Sequence, residues 1–255
     1  MWKVCRYTLL DLLRNRSAVG YTVLLLLITT GLFMLEADNT KALITLSQVV
    51  LAITPLLTLV FTIIWFYGQY EFTVLLAVQP LRRSAITQAQ YVAVTGALLL
   101  AFWLGVGLPL LAWAPGATSL TLLAAGSLLT TICCALGLWI AVCQRDRAKA
   151  VGIGLAVWVL LVLVWDALLL WLMYSFSDRP IEPLIVPLAA LNPIDLARMM
   201  VMFRIDLAAL LGYTGAVYQD FFGSPGGTLA ALSALLAWTL LPLWRAVRGF
   251  QRKDL

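Results

Sequence analysis

Two short strings and a few isolated residues in this chain are of types that do chemistry. Glu71 is a lone acid at the head of Glu71-Phe72-Thr73-Val74-Leu75-Leu76-Ala77-Val78, and Gln79-Pro80-Leu81-Arg82-Arg83 follows. The spacing predicts about two helical turns stopped before Pro80, with an apolar face of Phe72, Leu75 and Leu76 and two arginines behind it. A short helix of this kind, lying across the end of a pair of membrane spans, is suited to receiving force from a soluble motor. The second string is Asn192-Pro193-Ile194-Asp195-Leu196-Ala197-Arg198. Asn192 is placed to cap a helix, Pro193 suits its first position, and Asp195 suits the first turn. Met199, Met200 and Met202 come next. Thioethers hold Cu(I), but these three do not share one helical face, and methionine is also common packing filler. Asp166 is the one acid inside an apolar run, read as a structural or vestibule-lining residue. Cys133, Cys134 and Cys143 read as packing residues.

Several chemistries are excluded by composition. With no histidine in the chain, there are no Ser-His or Cys-His nucleophile pairs and no His-ligated zinc. The four lysines follow Trp2, Thr40, Ala148 and Arg252, so no Gly-Lys pair and no Walker A loop exist. Energy for uphill movement would have to come from a partner subunit or an ion gradient.

The elements that position these residues are membrane spans. Between Arg83 and Arg145 lie 61 residues without a charge, interrupted by Ala114-Pro115-Gly116. At about 20 residues per crossing this is two spans and a tight turn. The chain is 63% hydrophobic and 11% charged, against about 25% charged in soluble domains. The reading is an all-α polytopic membrane protein with six spans: Ser17–Leu35, Ala42–Tyr67, Tyr91–Trp113, Ala117–Cys143, Ala150–Phe176 and Thr228–Trp244. Residues 1–16 form an N-terminal amphipathic helix in the cytoplasmic interface, and no removable signal peptide is read. A coupling loop covers 68–90, a periplasmic or re-entrant helical loop covers 177–227 between spans five and six, and 228–255 is span six with a basic tail. With a cytoplasmic N-terminus, 13 of the 17 Lys and Arg residues fall inside, so both termini are expected in the cytoplasm. The 13-residue uncharged stretch Leu207–Gln219 is too short to span.

A basic amphipathic lead-in, six spans, an acid-led short helix before Pro80 and a large outer loop together resemble ABC-2-type permeases. The Asn192–Arg198 string and Gly212-Tyr213-Thr214-Gly215-Ala216-Val217, with Tyr218 after it, resemble the NosY-type permeases of copper-processing ABC systems that mature nitrous oxide reductase. The resemblance implies a bacterial inner-membrane homodimer and two cytoplasmic ABC ATPases that bind the ATP and Mg, with no cofactor in this chain. It implies that Glu71, Phe72, Pro80, Arg82 and Arg83 meet the ATPase. It also implies a periplasmic β-helical copper-processing partner, for which Asn192, Pro193, Asp195, Arg198, Tyr213 and Tyr218 are the contact candidates. Membrane lipid is the remaining partner, and no nucleic acid is expected. The rival readings are a generic ABC-2 exporter of lipid, polysaccharide or drug, and a non-transporting scaffold for a periplasmic assembly factor.

Overall fold

A computed structural model describes residues 2–36, 38–79, 82–176, 188, 191–202 and 225–251. The described residues fold into nine helices: α1 (Trp2–Arg14), α2 (Arg16–Leu35), α3 (Asn39–Gly68), α4 (Tyr70–Val78), α5 (Arg83–Trp113), α6 (Ala117–Cys143), α7 (Arg147–Ser175), α8 (Pro193–Met202) and α9 (Pro225–Gln251). Local caps divide them. Asn15 Oδ1 accepts the Ser17 N–H at 3.0 Å, Asp38 Oδ1 that of Thr40 at 2.9 Å, and Asp146 Oδ1 that of Ala148 at 3.1 Å. Each side chain satisfies a donor the helix leaves free at its start.

Among the described residues five helices, α2, α3, α5, α6 and α7, are long and apolar enough to cross a membrane. α6 is the hub. It packs against α3, α9, α5 and α8, while α2 and α7 keep most of their apolar surface outward. Glycine sets the closest approaches. A Cβ at Gly137 of α6 would stand 3.0 Å from the carbonyl oxygen of Leu59 and 3.0 Å from the Cβ of Thr62, both on α3. A Cβ at Gly105 of α5 would stand 2.8 Å from Leu25 Cβ and 2.9 Å from the Thr22 carbonyl oxygen on α2. Where lipid is as apolar as leucine, such backbone contact is a main source of helix association.

Two spans widen into a single π turn, α5 at Trp103–Gly107 and α7 at Leu160–Val164. In α5 the wide turn precedes Pro109, which has no N–H to give to the preceding turn. In α7 the Trp165 N–H reaches back five residues to the Leu160 carbonyl, so the Leu161 carbonyl loses its usual partner.

The loop expected over 68–90 is mostly helix. α4 takes up Tyr70–Val78, and α5 begins at Arg83, eight residues before the expected start of span three. Gln90 is the reason the extension holds. It is buried, and its Nε2 donates to Thr73 Oγ1 of α4 at 2.6 Å. α1 packs along α5, burying Thr8 and Leu12 and setting Leu9 beside Gly96, while Tyr7 and Leu10 stay exposed.

Candidate functional site

The first site is α4. Gln69 follows the last residue of α3, and its Nε2 donates to Asp11 Oδ2 of α1 at 3.2 Å. Just before it, the Tyr67 hydroxyl reaches the carbonyl oxygens of Ala141, Gln144 and Asp146 at 3.3, 3.1 and 3.4 Å, pinning the end of α3 to the α6–α7 turn. Thr73 and Leu76 face inward and are buried. The opposite face is open: Glu71 is exposed, as are Phe72, Leu75 (66%) and Val78 (82%). Residues 71, 75 and 78 follow the helical repeat and share one face. The expected apolar face of Phe72, Leu75 and Leu76 is therefore corrected. Leu76 packs inward against the spans, and Val78 takes its place outside. Arg82 is exposed ahead of α5, and Arg83 is the first residue of α5. Pro80 lies outside the described residues.

The second site is built on the π turn of α7. Asn192 Oδ1 accepts the Ile194 N–H at 3.0 Å and so caps α8. Its Nδ2 donates to the Leu161 carbonyl at 2.6 Å, filling the vacancy left by the π turn, and to Asp195 Oδ2 at 3.0 Å. Leu161 is fourteen residues from either end of α7. On the other flank Trp238 Nε1 donates to the Leu191 carbonyl at 3.1 Å, and Trp238 is thirteen residues from either end of α9. The start of α8 thus lies level with the middle of both long helices. From there α8 climbs toward the Ser175 end of α7, where Arg198 Nη1 meets Asp166 Oδ2 at 2.7 Å and Asp195 Oδ1 at 3.5 Å.

The structure brings Asn192, Asp195 and Arg198 together and adds Asp166 from 32 residues away. Asn192, Pro193 and Asp195 are buried inside the bundle, and Arg198 is half-buried. Tyr213 and Tyr218 lie outside the described residues. Met199 and Met200 pack against the core, and Met202 is half-buried. Cys133 and Cys134 are buried in α6, where Thr62 Oγ1 comes within 3.6 Å of Cys134 Sγ, and Cys143 is exposed. Among the described residues no three His, Cys, Asp or Glu side chains gather as a metal site. Sequence reasoning did not find Tyr67, Gln90 or the Asp166–Arg198 pair. Tyr67 and Gln90 carried a weak signal, as polar residues at the ends of long apolar runs.

Two carboxylates and one guanidinium share the second site, so one negative charge is left over. Arg198 lies 2.7 Å from Asp166 and 3.5 Å from Asp195, so the one cation is shared between the two acids.

A bundle centred on α6, a short helix held across one end of it and a polar cluster between α7 and α8 are features of a multi-span membrane protein. Residues 74–255 match the ABC-2 family transporter protein domain, nearly three quarters of the chain. The chain belongs to the ABC-2 transporter family. As an ABC-2 member it is a permease-type, multi-pass membrane subunit, and membership implies association with ATPase partners. The chain is 28% identical to the probable ABC transporter permease protein NosY of Pseudomonas aeruginosa over 266 residues, covering 96% of this chain and 93% of the relative. It is 27% identical to the probable ABC transporter permease protein NosY of Stutzerimonas stutzeri over 281 residues, covering 99% and 98%.

Proposed function

We propose that this chain is the permease subunit through which a separate ATPase drives maturation of the copper–sulfur site of nitrous oxide reductase. The observation that carries the reading is end-to-end similarity to two permeases named NosY, joined to a family match over most of the chain. In this reading α9 is the sixth span, and both termini, α4 and the basic end of α9 lie in the cytoplasm of a bacterial inner membrane. The charge distribution supports this, because Arg82, Arg83, Arg145, Arg147, Lys149, Arg245 and Arg248 all fall on that side.

Two copies pair, and each offers the Glu71, Phe72, Leu75 and Val78 face to an ATPase that supplies ATP and Mg. Tyr67 and Gln90 carry the push into α3, α5 and α6. The cluster around Arg198 ties α8 to α7, so movement of α7 relative to α6 and α9 is passed to the outer loop and the periplasmic copper-processing partner seated there. Because Asn192, Pro193 and Asp195 are buried, their part is to hold α8 in place. Tyr213 and Tyr218 are then the remaining contact candidates for that partner.

The test is to delete the gene from its host, purify the nitrous oxide reductase and measure its copper and sulfide content. We expect a reductase lacking its copper–sulfur cluster, restored by the wild-type chain. A fully loaded reductase from the deleted strain would contradict the reading and favour a generic exporter.

A further inference from the structure

An open groove of about 490 Å³ runs between α6 and α9, from Ala234 to Arg245 along α9, with Leu191 on its wall. Its floor is Leu136, Ala234, Ala237, Leu241 and Pro242, apolar or small throughout. Trp238 lines its middle, the indole fixed by a hydrogen bond to the Leu191 carbonyl. Arg245 lies seven residues further along α9, about 10 Å at the helical rise. That is within the depth of one hydrocarbon leaflet, about 15 Å.

The mouth differs chemically from the floor. The Arg245 guanidinium lies 5.4 Å from the centroid of the Trp139 ring, which positions it over the groove, and Arg245 has no carboxylate within ion-pair distance among the described residues. One turn on, Arg248 lies 3.8 Å from the ring centroid of Trp244 and is exposed. A cation steered by an aromatic ring, at the water end of an apolar trough, matches one phosphate attached to a hydrocarbon chain.

We propose that the groove between α6 and α9 is a binding site for an anionic phospholipid, one acyl chain lying along Ala234, Ala237 and Leu241 and the headgroup phosphate on Arg245. The lipid wedges between the hub helix and α9, so its occupancy bears on how closely those two helices pack. The proposal is independent of what the transporter moves. Its leaflet, the cytoplasmic one, follows from the orientation given above.

The test uses full-length chain extracted from vesicles of phosphatidylcholine and phosphatidylglycerol at about 3:1, with retained lipid identified by native mass spectrometry. The wild type is expected to carry phosphatidylglycerol enriched about threefold or more over its share in the vesicle. Arg245→Gln should abolish that headgroup preference while still retaining lipid. Ala237→Phe should fill the trough and shed the lipid, and Leu104→Phe, on the outer face of α5, should behave as wild type. Lack of enrichment in the wild type overturns the proposal, as does Arg245→Gln keeping the preference. Arg245 is exposed, so its variant tests the site even where Ala237→Phe fails to fold. Lipid retention is read without ATPase or reductase, so failure here is separable from failure of the proposed function.

Discussion

Replacing Arg198 with leucine is expected to be the most damaging single change in and around α8. Arg198 is the one cation facing Asp166 and Asp195 among the described residues, at 2.7 and 3.5 Å. Removing one partner of a fully buried ion pair costs about 3–5 kcal/mol, because the other charge is left without compensation. Here Asp166 is 34% exposed and partly screened by solvent, so the expected loss is about 2–3 kcal/mol. In a chain of this length that is a drop in unfolding midpoint of about 5–10 °C. The companion variants locate the cause. Asp166→Asn leaves Arg198 balanced by Asp195 and should cost less than half as much. Asp166→Asn with Arg198→Gln removes one charge of each sign and should recover much of the loss. Equal damage from the single and double variants would mean that Arg198 acts through packing of its stem rather than through charge.

The second large effect belongs to α4. An exposed apolar face of Phe72, Leu75 and Val78 beside an acid is the composition of a docking surface, with an apolar centre and a polar rim. Leu75→Asp places a charge at that centre. Loss of a central contact is worth about 2 kcal/mol or more, so ATPase affinity should fall about 30-fold or further. Glu71→Arg, at the rim, should weaken association less and increase its dependence on salt. Gln90→Ala offers the contrast. It leaves the outer face intact and removes the bond to Thr73, so the ATPase should still bind while its hydrolysis couples less well to movement of the spans. Leu75→Asp leaving association unchanged, measured by copurification in detergent, would remove α4 from the contact.

The long helices were readable in the sequence because an uncharged run of 61 residues has few other uses in a protein. α4 was readable for a local reason, since Pro80 limits the turn and Glu71 marks its start. So was the cap of α8, where Asn192, Pro193 and Asp195 act within four residues of one another. What stayed hidden depends on contacts between distant parts of the chain. The π turn at Leu160–Val164 lies in a run of leucines and valines whose pattern is the same with or without the extra residue. Without that turn there is no free carbonyl at Leu161 and no reason to expect Asn192 at mid-depth. Asp166 looked solitary because its partner lies 32 residues away on another helix. Leu76 and Val78 are both apolar, and only the position of Gln90 decides which of them turns inward.

The most direct test of the account is a photo-reactive amino acid placed at Leu75 in the full-length chain, with cross-linked products identified after illumination in intact membranes. The account predicts a cross-link to a P-loop ATPase from position 75, and none from position 104 on the outer face of α5. Absence of an ATPase product at 75, with the chain expressed and inserted, would contradict the central claim that α4 is where this permease receives its driving force.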